Sequence, residues 1–346
     1  MQKVAIVILN WNGEKFLKSF LPSVINHSSI DGVSVIVADN GSADSSIQLL
    51  KTSFPSVGVI ELDRNWGFAE GYNRALQQIE SEYYVLLNSD VEVSEGWLNP
   101  LIQFMDNHPQ AAACMPKILD YNNPSHFEYA GAAGGFIDFL GYPFCRGRIL
   151  SEIEEDKGQY DNQLEIFWAS GACLFIRSNQ YWEVGGLDND FFAHMEEIDL
   201  GWRLKNLGYT NWCIPSSKVY HVGGGTLPNN NPRKLYYNYR NSLFMLYKNL
   251  PTNKLFLTIF IRLILDGLSA LAYLVKGKFG FFKAVLRAHT DFWGSFKRLR
   301  KQRKTLRKEN QNKSGQILTK SVLVNFFLLK QKTFDTYHLS YFSKFR

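Results

Sequence analysis

The residues able to do chemistry gather at the ends of short apolar runs and in one acidic cluster. Val85-Leu86-Leu87 closes on Asn88-Ser89-Asp90. A carboxylate at the end of a buried strand costs free energy unless a cation compensates it. A divalent ion shared with a phosphate is an economical solution, because Mg2+ or Mn2+ takes one or two carboxylates and completes its shell with phosphate and water. A turn or helix-cap Asp is the plainer alternative. Asp39 ends another run in Ala38-Asp39-Asn40-Gly41-Ser42. An acceptor-only carboxylate there suits the imino N–H of a uracil or thymine ring, or caps the turn before the helix start Asp44-Ser45-Ser46.

His194-Met195-Glu196-Glu197-Ile198-Asp199 packs three acids into four positions. The helix dipole accounts for some acid there, and Asp199 can pair with Arg203 at i,i+4. Repulsion among the three raises at least one pKa towards neutrality, which suits a general base. HExxH is absent, which excludes a zinc protease of that type. His221 follows Lys218-Val219-Tyr220 and precedes Gly223-Gly224-Gly225. Such a residue is either a satisfied core histidine or, from a flexible loop, a contact to metal or diphosphate. Arg64-Asn65-Trp66-Gly67-Phe68-Ala69-Glu70-Gly71 opens a helix with glycines four apart. It is neither a Walker loop nor GxGxxG, and its glycines allow either ligand approach or tight helix–sheet packing.

Elements must hold these groups together. Apolar runs at Val4–Leu9, Val33–Ala38, Val57–Leu62 and Tyr83–Leu87 alternate with helical spacing such as Phe16, Leu17, Phe20, Leu21 and Val24. That alternation predicts an α/β fold with a mostly parallel sheet covered on both faces. Ligands of such sheets sit outside the carboxyl ends of the strands, so three polar clusters face one crevice. Residues 120–165 read as irregular, a candidate mobile loop over that crevice.

The 346 residues carry a formal charge of +6, which hides a division. Residues 251–346 hold 20 Lys and Arg against 4 Asp and Glu, while residues 1–250 hold 18 against 28. A body of −10 with a tail of +16 predicts two parts, 1–250 and 251–346. LFLTIFIRLILDGLSALAYLV, from Leu255, has the length of a membrane span, but Arg262 and Asp266 lie near its middle. The aromatic and basic stretch after it predicts an α-helical, amphipathic extension drawn to anionic lipid. A helical pair packed on the body with a solvated basic tail is the alternative. Four cysteines without CxxC spacing indicate neither a zinc ribbon nor a disulfide scaffold. The opening MQKVAIVILNWNG reads as a buried strand and not a signal peptide, so a cytoplasmic protein is expected.

Across residues 1–250 the sequence resembles family 2 glycosyltransferases of the GT-A fold, especially bacterial rhamnosyltransferase-like enzymes of cell-surface glycans. The resemblance rests on ILNWNG at 8–13, ADNGS at 38–42, RNWGFAEGYNRA at 64–75, LNSD at 87–90, WASGACLFIRS at 168–178, HMEEIDLGWRLKNLGY at 194–209 and YHVGGGT at 220–226. It implies that Asn10, Trp11, Asn12, Asp39, Asn65, Gly67 and Ser89 border the nucleotide. Trp168, Ser170 and Gly171 would line the acceptor side. Asp90 matches the last Asp of the DxD metal motif, whose first Asp is Asn88 here, so the metal would rest on Asp90, the diphosphate and His221. Glu197 matches the catalytic base, with Glu in place of the family's Asp, and Glu196 and Asp199 are supporting candidates.

The implied reaction is inverting transfer of a sugar from a UDP- or dTDP-linked donor to a hydroxyl of a glycan or lipid-linked glycan. It would depend on Mn2+ or Mg2+ and occur at the inner face of the cell membrane. A nucleotidyltransferase of similar topology and a non-catalytic sugar-binding scaffold are the competing readings. Nucleic-acid binding by the basic tail is disfavoured by the acidic body.

Overall fold

The computed structural model of the chain describes residues 2–223, 231–309 and 315–343. β1 (Gln2–Asn10), α1 (Glu14–His27), β2 (Val33–Asp39), α2 (Ser46–Ser53), β3 (Gly58–Glu61), α3 (Gly67–Leu76) and β4 (Ser81–Asn88) alternate along the first quarter of the chain. β5 (Val91–Val93), α4 (Leu98–Asn107) and β6 (Ala111–Asp120) follow. β-Branched residues dominate β1 and β2, and Val4–Ile8 are buried, as a strand covered on both faces requires.

Short strands come next: β7 (Gly135–Asp138), β8 (Pro143–Cys145), β9 (Arg148–Ile149), β10 (Glu152–Ile153) and β11 (Leu164–Ile166). Then β12 (Cys173–Arg177), α5 (Ser178–Glu183), α6 (Glu196–Asn206) and β13 (Thr210–His221) complete the body. The helices α7 (Pro232–Asn249), α8 (Thr252–Val275), α9 (Phe279–Gly294) and α10 (Phe296–Glu309) precede β14 (Ile317–Leu318) and α11 (Val322–Phe327).

The central sheet runs β11-β13-β6-β12-β4-β1-β2-β3, with β5 paired to β13. β3, β2, β1 and β4 are mutually parallel, as the alternation predicts. β12 is antiparallel to both β4 and β6, so the sheet is mixed beyond that point. Register aligns the carboxyl ends: Asn10 pairs with Asp39, and Leu9 with Asn88. Three polar strand ends therefore open onto one edge of the sheet.

Residues 120–165 are not the loop expected from sequence. They build most of a second sheet, β10-β9-β8-β7-β14. Its strands are two to four residues long, too short to show periodicity. Lys117, fully buried, ties the segment down through Asp156 at 2.7 Å and through Asp161. The C-terminal strand β14 pairs with β7, so the end of the chain returns to the body. All four cysteines are free and buried.

Candidate functional site

At the end of β1, Asn10 is buried and donates through Nδ2 to Asp39 Oδ1 at 2.9 Å and Ser42 Oγ at 3.2 Å. Asp39 also accepts from Ser42 N at 2.9 Å and Ser42 Oγ at 2.6 Å. Asp39 thus closes its own turn, while Oδ2 keeps a lone pair for a further donor. Asn10 Oδ1 is buried without a hydrogen-bond partner among the described residues. Beside it Trp11 is exposed, and Asn12, at φ 51°, accepts from Ala43 N at 2.7 Å. Ser89 flanks the same spot: a Cβ added to Gly13 would stand 3.6 Å from its Oγ.

Asn40 carries this edge to α3, donating to Asn65 Oδ1 at 3.2 Å and to Gly67 O at 3.0 Å. Asn65 Oδ1 accepts from Gly67 N at 2.8 Å. Gly67 has φ +77°, and a Cβ there would lie 2.6 Å from the Phe192 ring, so glycine is required. Phe68 N donates to Phe192 O at 2.6 Å. The nucleotide-side residues and the acidic segment are thereby in direct contact.

Phe192, His194 and Met195 hold φ of 58°, 70° and 74° in a left-handed run that delivers α6. For residues other than glycine each costs about 1–3 kcal/mol and persists only where the surroundings enforce it. Asn241, buried on α7, enforces it: Nδ2 lies 3.0 Å from Phe191 O, 2.9 Å from Ala193 O and 2.7 Å from His194 O. Arg240 Nη2 adds a bond to Asp190 O at 2.8 Å. Neither residue stands out in the sequence as functional; Asn241, a poor helix former mid-helix, is the one available signal.

The turn presents Glu196 and Glu197. Each has a buried Oε2 without a hydrogen-bond partner among the described residues. Burial, then the charges of Glu197 and Asp199, raise the Glu196 carboxyl well above the usual carboxylate range. Burial pushes Glu197 up to about 7, against the backbone N–H groups of its helix start. Gly171 faces both neighbours: a Cβ there would stand 3.4 Å from Phe68 Cζ and 3.9 Å from Glu197 Cβ. Burial, reinforced by the charge of Lys234, lowers the His194 imidazole to about 4, so it is neutral at physiological pH.

Asp199, expected as a supporting acid, is engaged elsewhere. It accepts from Arg203 Nε at 2.8 Å and Asn249 Nδ2 at 2.8 Å, and pairs with Lys248 at 3.0 Å. Its carboxylate binds α6 to α7. Trp168 is likewise structural in its contacts: it donates through Nε1 to Phe136 O at 3.0 Å and packs on Gly135, where a Cβ would fall 2.0 Å from the indole. Ser170 is buried, donating to Ala130 O at 3.3 Å and accepting from Ala172 N.

Asp90 and His221, 131 positions apart, meet with Nε2 3.1 Å from Oδ1. Asn88 Nδ2 lies 3.3 Å from the same nitrogen. On the other side of the ring, Nδ1 stands 3.4 Å from Glu128 Oε1, and Glu128 Oε2 accepts from Ala130 N at 2.6 Å. Burial disfavours the imidazolium, yet Asp90 and Glu128 outweigh it and raise His221 to about 10. Burial opposes ionisation of Asp90 too, and the His221 hydrogen bond and charge overcome it, holding the carboxyl below its ordinary value. Nothing in the sequence singled out Glu128. The glycines and Thr226 that follow Gly223 lie outside the described residues.

The arrangement offers few donors for a cation. Among the described residues no group of three or more His, Cys, Asp or Glu forms a metal centre. Asp90 with His221 supplies two donors at one point once the incoming cation displaces the Nε2 proton of the imidazolium, a set that fits an ion whose shell is completed by a diphosphate.

A mixed sheet with polar strand ends on one edge, facing an acid pair on a following helix, agrees with the GT-A glycosyltransferase fold expected from the sequence. Residues 5–184 match the sequence profile of Glycosyl transferase family 2, and the chain belongs to that family. It is 28% identical over 234 residues to N-acetylglucosaminyl-diphospho-decaprenol L-rhamnosyltransferase of Mycobacterium tuberculosis, covering 62% of this chain and 75% of that one. It is 22% identical over 223 residues to rhamnosyltransferase WbbL of Escherichia coli, covering 63% and 83%.

Among solved structures, GalNAc-T7 with UDP, GalNAc and Mn2+ aligns at a TM-score of 0.56 and 15% identity, over 72% of this chain and 48% of that one. The chain thus spans about half of that protein. Mannosyltransferase PcManGT from Pyrobaculum calidifontis, with GDP-Man and Mn2+, aligns at 0.51 and 12% identity, over 84% and 87%. At these identities the structures speak to the fold.

Proposed function

We propose that this glycosyltransferase is inverting and metal-dependent, moving a sugar from a UDP- or dTDP-linked donor to a hydroxyl of a glycan or lipid-linked glycan. The observation that carries the reading is the acid pair. Glu196 and Glu197 share a buried turn against the nucleotide-side segment, and Glu197, raised by burial to about 7, has an oxygen without a partner among the described residues. A carboxylate in that range takes a proton at neutral pH.

Glu197 accepts the proton of the acceptor hydroxyl as its oxygen bonds to the anomeric carbon. The bond from that carbon to the donor diphosphate breaks with its electron pair leaving on the nucleoside diphosphate, so configuration inverts. Asn10, Trp11, Asn12, Asp39, Asn65, Gly67 and Ser89 border the nucleotide, and the lone pair left on Asp39 Oδ2 suits the ring N–H of uracil or thymine. Trp168, Ser170 and Gly171 line the acceptor side. Asp90 and His221 would hold Mn2+ or Mg2+, which offsets charge on the departing diphosphate; the Mn2+ in the GalNAc-T7 and PcManGT complexes supports this.

The rhamnosyltransferase relatives, one named for a diphospho-decaprenol-linked acceptor, support a lipid-linked glycan in cell-surface polysaccharide synthesis. Residues 1–250 would then be the catalytic part, and 251–346 would hold it peripherally on the cytoplasmic, anionic face of the membrane. The test is transfer from dTDP- and UDP-linked sugars to an N-acetylglucosaminyl-diphospho-polyprenol. The expected result is metal-dependent product in wild type and, with Glu197→Gln, formation slowed about 10²–10⁴-fold. Full activity of Glu197→Gln would remove the base assignment.

A further inference from the structure

We propose that the outer face of α8, Phe139 and the tip at Phe327–Leu329 form one docking surface that seats α8 in the plane of an anionic bilayer, not across it. The inference rests on the membrane reading above and adds which residues enter the lipid and how the helix lies.

By length α8 could span: its 24 residues are long and apolar enough to cross a membrane. Its charged midpoint forbids that in this fold. Arg262 and Asp266 are 3% and 1% exposed. Arg262 Nη1 donates to Leu140 O at 2.9 Å and Nη2 to Ser242 Oγ at 2.8 Å, while its guanidinium lies 4.1 Å from the Tyr142 ring centre. Asp266 is 3.6 Å from Arg262 Nε and 3.5 Å from His289 Nε2 on α9. A spanning α8 would either draw the β7–β8 turn and α7 into hydrocarbon or strip both charges of their partners, and either is costly.

The opposite face is apolar and open. Phe256 (81% exposed), Phe260 (53%), Ile264 (48%), Leu268 (58%), Leu271 (54%) and Val275 (87%) recur at intervals of three or four, which is one stripe of a helix. Soluble monomers rarely expose a contiguous stripe of this kind. A second patch is held by the same turn. Asp138 Oδ2 accepts from Val322 N at 3.0 Å and so fixes the start of α11, whose end carries exposed Phe327, Leu328 and Leu329. Asp138 is two residues from Leu140, the anchor of Arg262, and exposed Phe139 lies between them.

Charge selects the occupant. Lys254 and Lys276 stand exposed at the two ends of α8, and Lys297, Arg300, Lys301 and Lys304 are exposed on α10. An apolar stripe with an exposed Lys at each end, in a region that also carries an exposed basic helix, is the pattern of a helix lying in an anionic lipid interface.

Because the four native cysteines are buried, a single introduced cysteine can carry an environment-sensitive dye on the full chain. Leu268→Cys and Leu328→Cys would be labelled and mixed with phosphatidylcholine vesicles with and without phosphatidylglycerol, using lipids brominated at shallow or deep positions. Both dyes are expected to shift to the blue on phosphatidylglycerol vesicles and to be quenched most by shallow bromines. The double variant Leu268→Glu/Leu328→Glu should bind vesicles at least tenfold more weakly while keeping the wild-type melting midpoint.

Deep quenching at 268 would mean a span and overturn the proposal. So would undiminished vesicle binding by the double variant, which would leave peripheral binding to the basic residues alone. A blue shift without vesicles, together with a dimeric mass by light scattering, would assign the face to a second copy. If the unaltered chain bound no vesicle of either composition, the membrane reading itself would fall, and the face with it.

Discussion

Glu196 and Glu197 are adjacent in sequence, yet their surroundings separate their tasks. Burial and the neighbouring charges of Glu197 and Asp199 raise the Glu196 carboxyl well above the usual carboxylate range, and burial raises Glu197 to about 7. The two lose protons as a pair. A carboxyl raised on folding from 4.5 to about 7 leaves the protein progressively less stable as pH rises from about 4.5 to 7, because the unfolded chain ionises first. Transfer, which needs the ionised form, should rise over the upper part of that window. A pH profile of kcat/KM is therefore expected to climb with an apparent pKa near 7. Glu197→Gln should cost about 10²–10⁴-fold in kcat, and it should melt later than wild type above pH 7. Equal melting of the two proteins at pH 8 would mean that the carboxylate is not strained by burial.

At this scale the sequence draws attention to Asp90, Glu197 and His221 because chemistry implies a residue type at each, and the structure brings Asp90 and His221 within 3.1 Å. It was silent on Glu128 and Asn241, whose importance is purely geometric. Glu128 matters because it stands 3.4 Å from a histidine 93 positions away, and no local pattern encodes that.

Among the elements, the left-handed run before α6 decides how the acid pair is presented, and α7 restrains it through Asn241. Removing that amide takes the side-chain donor from the Ala193 and His194 carbonyls, while Phe191 O keeps Ala193 N and Arg240 Nη2. Asn241→Ala should destabilise by about 1–3 kcal/mol. It should lower kcat well below what the lost stability explains, while the nucleotide-induced shift in Tm persists. A loss of stability with unchanged kcat would make Asn241 a packing residue only.

Gly67 and Gly96 offer a paired comparison in the denaturant midpoint. Both have positive φ, but a Cβ at 67 meets the Phe192 ring at 2.6 Å and one at 96 meets nothing within 4 Å. Gly96→Ala should cost about 1–2 kcal/mol for the backbone alone, and Gly67→Ala clearly more. Periodicity revealed the parallel strands β1 to β4. It missed β7–β10, whose two to four residues complete no pattern and whose order comes from contacts such as Lys117 with Asp156.

For the whole molecule, the charge division near residue 250 marks a change of surface more than a separable unit. Phe334 and Phe342 pack within 5.1 and 5.2 Å of the Phe136 ring, and Phe292 lies 6.4 Å from Phe244. A chain ending at Asn249 would uncover these rings together with the polar partners of Arg262. It is expected to be insoluble or to melt far below the full chain. A truncated protein with the full-length Tm would show that the body folds alone. The composition of the tail disclosed its basic, aromatic character, but not that residues 317–318 re-enter the second sheet, since a two-residue pairing leaves no trace in sequence.

The nucleotide site is the claim on which the other roles depend, and it can be probed without knowing the acceptor. The measurement is the thermal midpoint of wild type, Asp90→Asn and Glu197→Gln with UDP, dTDP, GDP and CMP, each with and without Mn2+. A ligand at 100 times its Kd adds about 2.7 kcal/mol to the folded state, readily visible as a raised midpoint. The expected result is an Mn2+-dependent rise with UDP or dTDP in wild type and Glu197→Gln that disappears in Asp90→Asn. No rise with any nucleotide in wild type, or an undiminished one in Asp90→Asn, would contradict the assignments of Asp39 and Asp90.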